Sequence, residues 1–291
     1  MSTLNSLHDR FQAIDSVWQA YTQQRDLPHH WLLEQTLKTA LTRRAILPVL
    51  HIQEGMKVLD LGTGFGALAF DIAASSGVVV HAMDHDMTAI ELATSMLADI
   101  QASQGLHPLS QVTCEVGDVY QLPYSNDTFD YVVSRFVFQH LSDPQHALQE
   151  IFRVLRPGGL VCIIDIDDQL SITYPEEPTA FVQLRSLFAK LQSLRGGDRI
   201  IGRKIPIMLH SNGFQVVNTL VLPQAQFSFV SHDGMATQMA IQQFMESKEH
   251  IIANRLITNE EFERLISELH QDSGRWSYVT NSELITIGKR P

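Results

Sequence analysis

Val58-Leu59-Asp60-Leu61-Gly62-Thr63-Gly64-Phe65-Gly66 is the stretch of sequence that decides the fold. Residues 56–61 form a short apolar run bounded by glycines, which predicts a buried strand. A helix is predicted over residues 67–74, directly after the three glycines. A strand that enters a helix through Gly-x-Gly-x-Gly places backbone N–H groups and a helix N-terminus beside a ligand, and glycine allows a close approach. A tight turn that binds nothing is the alternative interpretation.

Strands and helices continue to alternate on the C-terminal side of this stretch. The alternation implies right-handed crossovers and an α/β fold with a doubly wound, mostly parallel, Rossmann-like sheet of seven strands. The predicted strands are residues 56–61, 78–83, 112–116, 131–134, 160–166, 214–222 and 284–289. The predicted helices are residues 67–74 after the first strand, 88–104 after the second, 144–155 after the fourth, and 179–194 and 205–211 after the fifth.

Two segments lie outside this alternating pattern. Apolar residues at helical spacing predict helices before the first strand, and these form either a lid, an oligomer surface or simple packing. The 60 residues before the last strand are too long for a structureless loop, so they predict an insertion that contains two helices. The predicted division is N-terminal helices in 1–50, the cofactor-binding core in 51–222, a helical cap in 223–282 and the last strand of the core sheet in 283–291.

Composition narrows the class of protein. The chain has 291 residues, 44% of them hydrophobic, and a formal net charge of −11, which argues against a nucleic-acid partner bound through its phosphates. Its apolar runs are shorter than the ~20 residues that span a bilayer, and its start lacks the pattern of a signal peptide. The two cysteines, Cys114 and Cys162, fall in predicted strands rather than in a disulfide framework. These features predict a cytoplasmic protein with no membrane segment.

Two acidic residues sharpen the interpretation of the glycine-rich turn. Its glycines are one residue closer together than in the dinucleotide pattern Gly-x-Gly-x-x-Gly. Asp60 stands two residues before the first glycine, and Asp84 ends the second strand, where a carboxylate can accept both ribose hydroxyls of a nucleoside.

With these residues in place, the sequence resembles the class I S-adenosylmethionine-dependent methyltransferases. The glycine-rich stretch resembles the first motif of that family, and four further motifs follow in order. They are residues 82–85 with 89–93, residues 117–119 with 122–124, residues 129–134, and Leu155-Arg156-Pro157-Gly158-Gly159. The resemblance implies S-adenosylmethionine as cofactor and S-adenosylhomocysteine as product.

The resemblance also implies roles for single residues at the cofactor. The residues that it implies hold the methionine part are Asp60, Gly62, Thr63, Gly64, Gly66, Arg135 and Phe136. Asp84 is implied at the ribose hydroxyls, His85 against the adenine, Asp118 at the adenine amino group and Val119 at the ring's edge. Most relatives carry an aliphatic residue where this chain has His85. The alternative for Asp84 and Asp118 is that they are loop acids that cap helices.

Polar residues near the ends of the fourth and fifth strands are candidates for the chemistry. His140 follows the fourth strand, at the edge where open α/β sheets bind ligands, so it acts either as a general base or as a residue that holds a loop. Asp165, Asp167 and Asp168 cluster at the end of the fifth strand. A solvated loop is the first interpretation of that cluster, an acceptor-binding wall the second and a metal site the third; no metal is predicted.

The predicted function is methyl transfer to a small-molecule acceptor, with a hydrophobic or aromatic metabolite favoured by the helical cap, in a monomer or homodimer. The candidates for the acceptor pocket are Trp18, Tyr21, Trp31, Asp165, Phe227 and Phe244, although aromatic residues at helical spacing also pack in cores. Two alternatives are a catalytically silent relative that binds the cofactor as a regulatory or scaffold subunit and an NAD-dependent oxidoreductase. The glycine spacing argues against the oxidoreductase.

Overall fold

The computed structural model describes residues 6–24, 27, 30–231 and 235–291. The strands are β1 (Lys57–Leu61), β2 (Val79–Asp84), β3 (Gln111–Val116), β4 (Phe129–Arg135), β5 (Leu155–Ile166), β6 (Ile172–Tyr174), β7 (Gln215–Val230) and β8 (Arg275–Lys289). The helices are α1 (Leu7–Thr22), α2 (His30–Lys38), α3 (Ala40–Ala45), α4 (Leu47–Leu50), α5 (Ala67–Ser75), α6 (Met87–Ala102), α7 (Pro144–Val154), α8 (Thr179–Leu194), α9 (Ile205–Ser211), α10 (Met235–Ala253) and α11 (Asn259–Gln271). Short 3₁₀ turns span Phe138–His140, Asp168–Leu170 and Ile201–Lys204.

One mixed sheet organises the chain, in the order β3-β2-β1-β4-β5-β8, with β7 on the far edge of β8. Strands β1 to β5 are parallel, and β7 and β8 pair antiparallel to their neighbours. This arrangement confirms the predicted α/β class. Within the described residues the sheet has eight strands where seven were predicted, because the three-residue β6 pairs with the outer half of β8.

Alternating side chains of the central strands feed two apolar cores, one on each face of the sheet. In β1, Val58 belongs to the core that contains α1, α5 and α6, whereas Leu59 belongs to the core that contains α7 and α9. Both side chains have no exposed surface. Helices on both faces of a largely parallel sheet leave the carboxyl ends of the strands as the ligand-binding edge.

The last two strands are much longer than predicted. Expected over 214–222 and 284–289, they instead pair continuously out to Val230 opposite Arg275, so a two-stranded ribbon occupies part of the predicted helical insertion. The sequence signal for this extension is the alternation of polar and apolar residues from Gln224 to Val230, which has the period of a strand. The two helices predicted within the insertion are present as α10 and α11.

Helices α8, α10 and α11 form a third apolar cluster of their own, in which Leu184, Phe244 and Phe262 are buried. The N-terminal helix α1 packs on α5 and α6 instead. Helix α2 reaches α10 through two contacts: Trp31 Nε1 donates to Glu246 Oε2 at 3.1 Å, and Lys38 Nζ lies 3.6 Å from Met239 Sδ. No helix in the described ranges is long and apolar enough to cross a membrane.

Candidate cofactor and acceptor site

The glycine-rich turn is joined by hydrogen bonds to the end of β2. Gly62 N and Thr63 N both donate to Met83 O, at 2.8 and 3.0 Å, and Gly64 N donates to the Asp84 carboxylate at 2.8 Å. Gly117 N, just after β3, donates to Asp84 O at 2.9 Å. The loops after β1, β2 and β3 therefore meet in one place at the carboxyl edge of the sheet.

The three glycines of the turn serve different purposes. All have positive φ, at +75° for Gly62, +55° for Gly64 and +86° for Gly66. A Cβ on Gly62 would lie 2.1 Å from Val137, and one on Gly66 would lie 2.4 Å from the Phe70 ring, so these two glycines allow the protein to pack on itself. A Cβ on Gly64 would meet nothing within 4 Å. Only Gly64 faces open space, and there a ligand can approach the backbone.

Asp60 lies beneath this turn. It is 2% exposed and accepts a hydrogen bond from Thr63 Oγ1 at 2.7 Å. Burial raises the pKa of Asp60 to about 6, and the nearby Asp84 acts in the same direction. The geometry places Asp60 as a support for Thr63 and for the first turns of α5, where Ala69 N also donates to it.

Asp84 is held at the rim of the same space. Its Oδ2 accepts from Gly64 N and its Oδ1 accepts from Asp86 N at 3.1 Å, which leaves a lone pair on Oδ2 for a further donor. The neighbouring His85 is 90% exposed, with its Nδ1 3.0 Å from Asp84 Oδ1.

The third loop contributes Asp118 and Val119. Asp118 is exposed, and its Oδ1 accepts from Tyr120 N at 2.9 Å, so the carboxylate stabilises a local turn as well as facing solvent. Val119 is half-buried against the core beneath α7. Both are consistent in position with the edge of a ligand that lies across β1, β2 and β3.

Arg135, at the end of β4, is already engaged by an acid that the sequence analysis missed. Its guanidinium makes two hydrogen bonds to Glu283, at 2.9 and 2.7 Å, and Gln224 also donates to Glu283. The guanidinium carbon lies 4.1 Å from the centre of the Phe136 ring, and Phe136 itself has φ +62°. The sequence does contain a signal for this ion pair. Glu283 directly precedes the predicted apolar strand of residues 284–289, and an acid that is buried there requires a partner.

His140 belongs to a hydrogen-bonded network with two further residues that the sequence did not indicate, Gln192 and Arg199. Gln192 Nε2 donates to the Gln139 carbonyl at 2.6 Å and contacts His140 Nδ1 at 3.3 Å, while Gln192 Oε1 accepts from Arg199 Nη1 at 3.5 Å. A carbonyl can only accept and a guanidinium can only donate, so the orientation of the Gln192 amide is set from both sides. The network therefore assigns Nδ1 of His140 as an acceptor and places its proton on Nε2.

The protonation of His140 follows from its surroundings. Although the side chain has open surface, crowding by protein atoms lowers the pKa of His140, and the positive charges of Arg199 and His85 lower it further. A neutral ring with its proton on Nε2 is a hydrogen-bond donor at that nitrogen rather than a base. This favours the positioning interpretation of His140 over the general-base one.

The acids at the end of β5 and just after it are not a solvated loop. Asp165 is fully buried and accepts backbone hydrogen bonds from Gln139 at 3.2 Å and Ile166 at 2.8 Å, so it holds the 3₁₀ turn that carries His140. Asp167 is 4% exposed and pairs with Arg203, and Asp168 binds Arg199 through two bonds of 2.8 Å. Among the described residues, no group of three acids, histidines or cysteines is arranged to hold a metal ion.

Burial raises the pKa of Asp165 from 3.8 to about 7, which makes the free energy of unfolding depend on pH. The folded state holds this proton more tightly than the unfolded chain, so the resulting stability is complete below about pH 3.8 and is lost as pH rises through about 7. Between pH 5 and 7 the unfolding free energy of wild type should therefore fall as pH rises. We expect it to fall less steeply in Asp165→Asn, by up to about 1.4 kcal/mol per pH unit.

Urea unfolding of wild type and Asp165→Asn at several pH values between 5 and 7 measures this difference. The exposed Asp118→Asn serves as the matched control, whose slope should follow wild type. Parallel slopes for wild type and Asp165→Asn would mean that Asp165 is ionised throughout this range.

The six candidates for the acceptor pocket do not come together. Trp18 is fully buried in the core of α1, α5 and α6, and Tyr21 Oη is bound to Ser95 at 2.7 Å and to Asp99 at 2.9 Å on α6. Phe244 is buried in the cluster of α8, α10 and α11, and Phe227 is 69% exposed on the β7–β8 ribbon. Trp31 links α2 to α10, as described above, and Asp165 lies below the surface.

The prediction that these six residues share a pocket is therefore wrong. Two of the aromatic residues complete the helical apolar stripe of α1, and such stripes pack against the body of the protein. The structure brings together the cofactor candidates of the first three loops, whereas the acceptor candidates are dispersed.

A mostly parallel sheet of this strand order, with one open glycine and two carboxylates at its carboxyl edge, defines an α/β protein with a Rossmann-like fold. Comparison with known families gives the specific assignment. The family described as "Methyltransferase domain" matches residues 52–198. The chain belongs to this family, the class I S-adenosylmethionine-dependent methyltransferases.

Individual relatives resemble parts of the chain. Methyltransferase GfsG of Streptomyces halstedii is 34% identical over 117 residues, which cover 40% of each protein. A demethylmenaquinone methyltransferase of Staphylococcus epidermidis is 29% identical over 150 residues, which cover 51% of this chain and 56% of the relative. The chain thus spans about half the length of these relatives or less. A candidate methyltransferase from Bacillus halodurans shares the fold, with a TM-score of 0.56 at 18% identity over 86% of this chain and 98% of that one.

Proposed function

We propose that this protein transfers the methyl group of S-adenosylmethionine to a small-molecule acceptor. The observation that carries the proposal is the open space at Gly64, bounded by the Asp84 carboxylate and joined to the loops after β1, β2 and β3. A space where no side chain stands, next to free carboxylate lone pairs, fits the sugar of a nucleoside. The family assignment supports S-adenosylmethionine as that nucleoside.

The residues present fit the cofactor in distinct ways. Asp84 would accept the ribose hydroxyls with the free lone pair of Oδ2 and, once His85 turns from it to the adenine, with Oδ1. His85 and Val119 would lie along the adenine, and Asp118 would accept its amino group. Thr63, supported from below by Asp60, and Phe136, held against Arg135, would border the methionine part.

The chemistry requires little of the protein beyond alignment. The bound cofactor would supply a methyl group activated by positively charged sulfur. The acceptor atom would form a bond to this methyl group as the sulfur–methyl bond breaks, which leaves a neutral thioether, and a hydroxyl acceptor would release its proton to solvent. The chain's own part is to orient the acceptor and to exclude water. His140, with its proton on Nε2, would donate a hydrogen bond to the acceptor rather than remove its proton.

The segments outside the core support a covered acceptor site. Helix α2 of the N-terminal segment contacts α10 of the insertion through Trp31–Glu246 and Lys38–Met239, so the two segments predicted to cover the core touch each other. We therefore retain, of the predicted segments 1–50 and 223–282, the helices α2 and α10 as a joint cover over the core of residues 51–222. The quinone substrates named for relatives such as the demethylmenaquinone methyltransferase support a hydrophobic, aromatic acceptor.

Calorimetric titration with S-adenosylhomocysteine tests the cofactor assignment. We expect micromolar binding to wild type and a roughly 10- to 100-fold weaker affinity for Asp84→Asn, because the amide replaces a charged acceptor of hydrogen bonds and loses about 1.5–3 kcal/mol. Asp130→Asn is the matched control. Asp130 also accepts a backbone hydrogen bond, from Lys57 N at 2.6 Å, but it lies at the start of β4, at the edge of the sheet opposite to Asp84.

The same titration separates the alternatives. If the protein binds NAD⁺ and does not bind S-adenosylhomocysteine, it is an oxidoreductase. Binding of S-adenosylhomocysteine, followed by the absence of methyl transfer to a broad panel of hydroxylated aromatic acceptors, would favour the silent relative. Equal weakening by Asp84→Asn and Asp130→Asn would show that Asp84 acts only through stability.

A further inference from the structure

The β7–β8 ribbon, with β6 beside it, exposes an apolar surface that the methyl-transfer proposal does not use. Tyr174, Tyr278 and Phe227 are register partners across the three strands, so their side chains lie side by side on one face. Phe229 and Trp276 are register partners two residues further along, on the same face. We call this the aromatic face, and its six residues are Ile172, Tyr174, Phe227, Phe229, Trp276 and Tyr278.

The rings of the aromatic face are already arranged among themselves. Phe227 and Trp276 stack with centroids 4.8 Å apart and planes at 11°, and Phe229 meets Trp276 edge-on at 5.4 Å. Contacts of this kind hold aromatic side chains in fixed orientations. The aromatic face is therefore a preformed platform rather than a set of independent exposed side chains.

The opposite face of the ribbon carries polar residues. There, Gln226 pairs with Val279 and Ser228 pairs with Ser277; Gln226 and Ser228 are exposed, and Ser277 is 8% exposed. An antiparallel sheet with one wet face normally turns its polar residues to water and its apolar residues inward. In this ribbon the aromatic residues of the other face are open as well, and a contiguous exposed apolar patch of this kind indicates a partner.

The area of the aromatic face suits a stable protein partner. Its five aromatic residues are between 40% and 75% exposed, and at ~200 Å² for each fully exposed aromatic side chain they leave roughly 600 Å² open. The 66% exposed Ile172 enlarges this area. A stable dimer buries about 800 Å² on each partner, so the aromatic face supplies most of one side of such an interface.

The absence of charge on the aromatic face allows a second copy of the chain to dock there. Two copies, each with a net charge of −11, repel each other, and a contact through charged surface would add to this repulsion. The six residues of the aromatic face are uncharged, and the 16 residues of β7 include no Asp, Glu, Lys or Arg. An apolar platform without charge is complementary to itself under two-fold symmetry, in which each copy offers the same patch.

We propose that the protein is a two-fold symmetric homodimer in which the aromatic faces of two copies pack together. The proposal does not depend on methyl transfer, because it rests on the ribbon alone. Trp276 and Phe227 are its expected energetic centre, since buried aromatic residues at the middle of an interface dominate binding.

Sedimentation equilibrium between 1 and 100 μM protein tests the dimer. We expect wild type at twice the 32.8 kDa mass of one chain, and Phe227→Glu/Trp276→Glu to weaken self-association by at least about 100-fold. Ile207→Glu is the matched control, because Ile207 is 71% exposed on α9, outside the ribbon, and its variant should remain a dimer. Unchanged far-UV circular dichroism of the double variant shows that the fold is retained; if it is lost, Phe227→Ser alone, which keeps a neutral residue, is measured instead.

Three results would overturn the proposal. They are a wild-type monomer at 100 μM, a dimer that the double variant leaves intact, and a monomer that co-sediments through its aromatic face with vesicles of phosphatidylcholine. The last would assign the aromatic face to a lipid surface. Failure of the S-adenosylhomocysteine titration would leave the sedimentation result unaffected, so the two proposals fail separately.

Discussion

Asp71→Ala is expected to lower the free energy of unfolding by about 3–5 kcal/mol, because it removes one partner of a buried ion pair. Asp71 has no exposed surface, and Arg43, which donates to it from Nε at 2.7 Å, is 1% exposed. Arg44 Nε donates to the other carboxylate oxygen at 3.0 Å. Without Asp71, the Arg43 guanidinium keeps only the Thr36 carbonyl, at 2.8 Å, as a hydrogen-bond partner among the described residues, and its charge is left without compensation.

Urea unfolding at pH 7 measures this loss, and Asp15→Ala is its matched control. Asp15 binds the same Arg44 at 2.6 Å, but its side chain is 31% exposed, so its removal should cost about 1 kcal/mol or less. Similar values for the two variants would show that water reaches Arg43 and that the pair is not effectively buried.

The position of this ion pair connects the N-terminal helices to the cofactor turn. Asp71 lies in α5, which begins one residue after Gly66, and Arg43 and Arg44 lie in α3. Helices α1, α2 and α4 contribute apolar side chains to the core on this face, whereas α3 contributes none, so the charged anchor is what specifies where α3 sits. Loosening that anchor in Asp71→Ala should therefore also increase hydrogen exchange at the amides of α5.

The cofactor side of the site could be predicted because its signals are local. The strand, the glycine-rich turn and α5 occupy consecutive residues, and Asp84 ends the neighbouring strand in the parallel order that right-handed crossovers impose. The reason first given for the glycines was only partly right. Gly64 leaves room for a ligand, whereas Gly62 makes way for Val137, which lies 75 residues further along the chain, and no local pattern reports such a contact.

The surroundings of Arg135 and His140 could not be predicted because their contacts join distant segments. Arg135 and Glu283 are 148 positions apart, and Gln192 reaches His140 across 52. The sequence shows that each of these residues is polar, but not which buried partner it has. The aromatic candidates failed for a related reason: helical spacing identifies an apolar stripe but does not distinguish a stripe that packs from one that lines a cavity.

Substitutions at two glycines of the glycine-rich turn should have opposite effects: Gly62→Ala should mainly lower stability, and Gly64→Ala should mainly lower cofactor affinity. We expect Gly62→Ala to lower the free energy of unfolding by about 2–5 kcal/mol, since a left-handed alanine costs roughly 1–2 kcal/mol and a Cβ 2.1 Å from Val137 forces repacking that costs roughly 1–3 more. Thermal unfolding with and without S-adenosylhomocysteine measures both its stability and its remaining affinity.

Gly64→Ala separates the two purposes of the turn. Its Cβ meets no protein atom within 4 Å, so only the left-handed strain of about 1–2 kcal/mol applies to stability, while the new methyl group occupies the space proposed for the cofactor. We expect its affinity for S-adenosylhomocysteine to fall at least about tenfold, a cost of about 1.4 kcal/mol. Wild-type affinity in Gly64→Ala would place the cofactor elsewhere along the sheet edge, because a ligand against this backbone cannot avoid the added methyl group.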